Sequence, residues 1–172
     1  MQSYPIFDLK VTKNRSLLDR KEAREAFKWY MKSIPERIAI LKDFALSHGY
    51  TVETGTAFLP SLQDLFFDTC HEVKGQERLE PPELSMANDI SIYISELLVN
   101  ECENLSWKLH TFGKTSMHYH CPVIMGFKGV KYSNYSVRLD SAIVSYGERI
   151  IRGKPKETDL FVRMYRSSMD KA

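Results

Sequence analysis

His118 and His120, with Cys121 beside them, are the residues of this chain closest to a metal-binding arrangement. On a strand, residues two apart share a face, so both imidazoles could reach one ion. A third ligand is wanting, because Cys121 would point the other way and no Asp or Glu lies between Glu103 and Asp140. The expectation is therefore no bound metal, with His118 and His120 as the positions to check. Gly113-Lys114-Thr115 imitates the end of a phosphate-binding loop. The first glycine of that loop would fall at Lys108, and a strand-like run follows where a helix is needed. Asp89, Tyr93 and Glu96 share one helical stripe, but the two carboxylates are separated by about 10 Å of helix rise. That is too far to share a proton, and Glu96 is expected to be a buried structural acid. No nucleophile elbow or local Cys–His signature is present. Neither catalytic residues nor a cofactor are expected, and an enzyme with an unrecognised site stays as an alternative.

Charge offers two further surfaces. The net charge is only +2, yet it is unevenly spread: +4 over residues 1–32, −9 over 33–103 and +7 over 104–172. Asp64, Asp68, Glu72, Glu77, Glu80 and Glu83 form an acidic run opposed only by Lys74 and Arg78, suited to steering a cationic partner. Lys128, Lys131, Tyr132, Tyr135 and Arg138 interleave basic and aromatic side chains, as single-strand binders do. No nucleic-acid-binding signature accompanies them, so nucleic acid is the weaker expectation.

The elements that must carry these residues are well signed. Asp19 and Glu22 have capping-box spacing, followed by Ala23, Ala26, Phe27, Tyr30 and Met31 on one face. Ser33 and Glu36 repeat the box with Pro35 between them, predicting a helical hairpin over 19–48 that stops at Gly49. Residues 50–58 are β-prone around Gly55 but short, with a loop as the alternative. A third helix starts near Pro60-Ser61, and an exposed connection runs from Glu72 to Pro82. Residues 84–102 contain a strand-like alternation at Ile90, Ile92 and Ile94, but their length without Gly or Pro favours a long, largely buried helix.

From Leu105 the pattern changes to an antiparallel hairpin over about 105–127, with a strand from Met117 to Phe127 and Trp107 largely buried. Tyr135–Val137 adds a short strand, and two more helices follow. The fold class is α+β, a single domain over 1–172 with 1–18 as an irregular N-terminal arm. With 43% hydrophobic residues, 9 Phe and 9 Tyr, a disordered chain is excluded. Cys70, Cys102 and Cys121 are an odd, widely spaced set that fits a reducing compartment. No apolar run is long enough for a membrane span, and Met1–Pro5 does not open a secretory signal. The expected location is cytoplasmic; oligomeric state is left open.

Ile34-Pro35-Glu36-Arg37-Ile38, Tyr93-Ile94-Ser95-Glu96, Trp107 and Pro122-Val123-Ile124-Met125-Gly126-Phe127 together resemble a family of small bacterial proteins that are similar to the immunity partners of polymorphic or contact-dependent toxins. The likeness spans about residues 20–165, and it departs at Ser95, where the family would place Gly. It implies an inhibitor that binds a protein toxin domain without catalysis, and it carries over no catalytic residues. Toxin domains that cut nucleic acid must be basic to hold phosphates. The acidic run is accordingly the expected partner-binding surface. Charge reversal at Asp64, Asp68, Glu77 and Glu80 is expected to slow association while leaving stability nearly unchanged.

Overall fold

Asp19 opens the first helix as its spacing predicts. Its Oδ1 accepts from the backbone N–H of Lys21 at 2.7 Å and Glu22 at 2.8 Å, while Glu22 Oε2 accepts from the Asp19 N–H at 2.7 Å. The computed structural model describes residues 3–11 and 13–172. The helix that follows is α1, Arg20–Ser47, and it is continuous, so the predicted hairpin of two helices is corrected to one long helix with Pro35 inside it. A proline here removes one helical hydrogen bond and crowds the preceding turn. Burial on both sides of it outweighs that cost: Ala23, Ala26 and Tyr30 before Pro35, and Arg37, Leu41 and Phe44 after it, are all buried. Ser33 does not cap a new helix, since its hydroxyl donates to the Trp29 carbonyl at 2.9 Å. The stop at Gly49 is as expected, with φ at 81°.

The segment 50–58 contains a 3₁₀ turn at Gly55–Phe58 rather than a strand. Then come α2, Leu59–Glu72, and α3, Pro81–Glu101. The strand-like alternation in α3 is explained by its position. It packs against α1, α2, α4 and α5, so Met86, Ile90, Ile92, Ile94 and Leu98 can all be fully buried although they lie on different sides of the helix. The helices α4, Asp140–Ile151, and α5, Leu160–Met169, close the far side, where Phe66, Tyr146 and Phe161 meet ring to ring.

A three-stranded antiparallel sheet in the order β1, β2, β3 sits on the other end, built from Ser106–Leu109, Pro122–Met125 and Ser136–Val137. Trp107 faces Ile124 across β1 and β2, and Ile124 faces Val137. The chain is α+β, with five α-helices and this small sheet among the described residues. Gly126 leaves β2 at φ 108°, directly against the backbone of Asn104; a Cβ there would stand 1.9 Å from the Asn104 carbonyl oxygen.

The N-terminal arm is irregular, with a 3₁₀ turn at Arg15–Leu17, but it is packed: Tyr4, Phe7 and Leu18 are buried. Its anchor is a buried ion pair. Arg37 Nη2 donates to Asp89 Oδ2 at 2.6 Å and Arg37 Nε to both carboxylate oxygens at 3.0 Å. The Tyr4 hydroxyl donates to Asp89 Oδ2 at 2.5 Å, and Arg37 Nη2 also reaches the Pro5 carbonyl. Burial pushes the Asp89 carboxyl up from its ordinary range, and the hydrogen bonds from Arg37 and Tyr4 pull the other way. Among the described residues, no helix is long and apolar enough to cross a membrane.

Candidate functional site

The acidic run divides between surface and scaffold. Asp64, Asp68, Glu72, Glu77 and Glu80 are exposed, whereas Glu83 is buried. Glu83 closes a capping box at the start of α3 by accepting from the Glu80 N–H at 3.0 Å, and the Glu80 side chain caps in return. These two carboxylates therefore hold a helix end. Asp64 pairs with Lys156 at 2.5 Å, and Asp68 accepts from the Tyr50 hydroxyl. Burial, followed by the Asp68 carboxylate, pushes the Tyr50 phenol up, so it stays protonated as a donor. Between the end of α1 and the outer face of α2 lies a surface groove of about 290 Å³, lined by His48, Tyr50, Asp68, Thr69, His71 and Glu72. The acids on its rim and the aromatic rings in its walls suit a cationic side chain.

The two histidines do not share a strand face. Residues 117–120 form turns, so β2 begins only at Pro122, and the expected strand over 117–127 is corrected to its second half. His120 adopts the left-handed conformation at φ 58°, and its N–H donates to the His110 carbonyl at 2.8 Å. That reversal separates the two side chains. His118 Nδ1 bonds to Ser136 Oγ at 2.8 Å, while His120 stacks on Tyr119. The ring nearest His118 is His110, at 5.7 Å between centroids. Among the described residues, no three His, Cys, Asp or Glu side chains converge to hold a metal.

Burial pushes His110 down from the usual imidazole value, with His118 adding repulsion, and burial likewise lowers His118, with Arg138 adding to it. A depressed imidazole pKa means that the unfolded chain takes up protons first. Stability should be full above about pH 6.5 and should fall as the pH drops below it. Chemical denaturation at pH 7 and pH 5 checks this, and His110→Gln combined with His118→Gln should flatten the dependence. An unchanged slope in the double variant would place the proton uptake elsewhere.

The basic and aromatic run is also divided. Lys128, Lys131 and Tyr132 are exposed, but Tyr135 packs edge-on against Phe127. The Arg138 fork is committed to Asp140 through two bonds of 2.7 Å. Glu96 and Trp107 depart from expectation together. Both are half-buried, and Trp107 Nε1 donates to Glu96 Oε1 at 2.6 Å. The buried acids of α3 are Glu83 in its first turn and Asp89 in its middle.

Sequence patterning passed over a second concavity. Arg15, Tyr30, Asn88, Ser91, Ser95 and Arg138 converge beside Trp107 on a recessed pocket of about 80 Å³. The visible signal was Asn88, Ser91 and Ser95, three polar residues at helical spacing among the isoleucines of a largely buried helix. Cys70 and Cys121 are buried, Cys102 is half-buried, and all three are free thiols. No family model, curated protein or solved structure matches this chain.

Proposed function

We propose that this chain is an immunity-type inhibitor, which binds a basic toxin domain through the acidic face of α2 and blocks it without chemistry. The observation that carries the reading is the groove of about 290 Å³ rimmed by Asp68 and Glu72 with Tyr50 in its wall. A lysine or arginine of the partner would sit there between carboxylates and aromatic rings. Around it, Glu77 extends the negative surface, and such a surface speeds encounter with a cationic one. The resemblance to immunity proteins supplies the class of partner. Exposure of the carboxylates is in keeping with an inhibitor that works by coverage. The nucleic-acid alternative has weaker support, because Arg138 and Tyr135 are committed to internal contacts.

Two measurements test the reading. Co-expression with a nuclease-type toxin domain encoded by the adjacent reading frame should protect cells from it. Reversing Asp68, Glu72 and Glu77 to Lys should slow association roughly tenfold or more at low salt, with the difference shrinking above about 0.5 M salt. Folding stability should fall by no more than about 1 kcal/mol, because the one hydrogen bond lost with these charges is the exposed bond from Tyr50 to Asp68. Glu80 is left out because its reversal would remove a helix cap worth about 1 kcal/mol. Wild-type association by the triple variant at low salt would reject the α2 face as the interface.

A further inference from the structure

The recessed pocket beside the sheet has an unbalanced charge. It is bounded by the N-terminal arm, α1, α3, β2 and the segment leading into α4. Arg138 is neutralised by its two bonds to Asp140 and further tied by Nη1 to the Met117 carbonyl at 3.0 Å. Arg15 has no such partner. Its one described hydrogen bond runs from Nη1 to the His120 carbonyl at 3.5 Å, and no carboxylate forms a salt bridge with it among the described residues. Burial pushes this guanidinium below the ordinary arginine value. The guanidinium is half-buried, and a partly desolvated charge with no counter-charge bonded to it carries a cost.

The hydroxyls around it are also uncommitted. Ser85 and Ser33 donate to the carbonyls four residues earlier, at Pro81 and Trp29, the usual outlet for a helical serine. Ser91 and Ser95, one turn apart on α3, make no such bond, and the Tyr30 hydroxyl likewise has no partner among the described residues. All three are at least nine-tenths buried, at 5%, 3% and 5% exposure for Ser91, Ser95 and Tyr30, and all three line the cavity. A guanidinium and three hydroxyls therefore surround a space of about 80 Å³, room for a few waters or one small ion.

We propose that this cavity is a binding site for a small tetrahedral oxyanion, phosphate or sulfate, held by Arg15 and by the hydroxyls of Tyr30, Ser91 and Ser95. Sign follows from the two guanidinium groups set against the single carboxylate of Asp140, an excess of one positive charge that repels a cation and leaves a neutral guest without a counter-charge role. Size follows from the volume, which admits the head group but not a nucleoside. Four donor groups match an acceptor with four oxygens, and charge-assisted bonds to a guanidinium are the strong kind. The site is independent of the α2 groove, on which the inhibitor reading rests.

Thermal unfolding and calorimetric titration of the full chain with sodium phosphate, sulfate, formate and chloride at matched ionic strength test the site. Phosphate or sulfate should raise Tm saturably and shift the emission of Trp107, which lines the cavity; chloride should do neither. Arg15→Met should weaken phosphate binding at least tenfold while being no less stable than the wild type without anion, because it removes a partly desolvated charge. If that variant does not fold, Ser91→Ala with Ser95→Ala gives the same readout without altering charge, and a loss of several-fold is expected. An equal Tm rise with chloride, binding of formate alone, or undiminished phosphate binding in the variants would overturn the proposal.

Discussion

Replacing Asp89 with Ala should cost about 3–5 kcal/mol of folding stability, the range for breaking a buried ion pair by removing one partner. The Arg37 guanidinium, 5% exposed, would keep its charge without the carboxylate that now takes three of its hydrogen bonds. The Tyr4 hydroxyl would lose its acceptor as well. Urea unfolding followed by circular dichroism measures the loss. Arg37→Met with Asp89→Leu makes the comparison informative, because removing both charges together should recover most of the stability. A single Asp89→Ala variant that unfolds at the wild-type midpoint would mean that the pair is not shielded from water as its burial implies.

Gly126→Ala should be nearly as damaging, with a loss above about 3 kcal/mol or failure to fold. Two causes add. At φ 108° any Cβ is strained, and here it would lie 1.9 Å from the carbonyl oxygen of Asn104 and 2.9 Å from its carbonyl carbon. Backbone cannot rotate aside as a side chain can, so β2 or the turn before β1 must shift. The Asn104 Nδ2 bond to the Gly126 carbonyl, 2.9 Å long, would go with it. Gly49→Ala is the control, since Gly49 also has positive φ but open space around it, and only strain of about 1–2 kcal/mol applies. Equal melting points for the two alanine variants would show that the Asn104 approach is relaxed in solution.

Local signals read well from the sequence wherever the chain decides its own conformation. The Asp19–Glu22 box, the glycine stop at Gly49 and the proline opening of α3 need only neighbours in sequence, and all three are found. Reading failed where a distant contact outweighed a local preference. Pro35 reads as a helix start, but Tyr30 and Ile34 before it and Ile38 after it pack with Phe7 and Ile92 in one cluster, and the helix runs through. His118 and His120 read as strand neighbours until the left-handed turn at His120, fixed by the bond to the His110 carbonyl, rotates them apart. The acidic surface was legible as a charge run, although the capping role of Glu83 was hidden by its membership of that run. Partners of Arg15 and Arg37 lie 32 or more positions away, and no periodicity reports on such pairs.

The tie between Tyr4 and Asp89 spans 85 positions, which matters during synthesis. At 5–20 residues per second, Tyr4 leaves the ribosome roughly 4–17 s before Asp89 does. Phe7 waits similarly for Ser85, which accepts its backbone N–H across 78 positions. Through that interval the arm has α1 beside it but not the helix that buries it, so two aromatic rings stay exposed on a nascent chain. The part of α1 before Pro35 can form early from local contacts, whereas the arm can lock only after Ser85 and Asp89 have emerged.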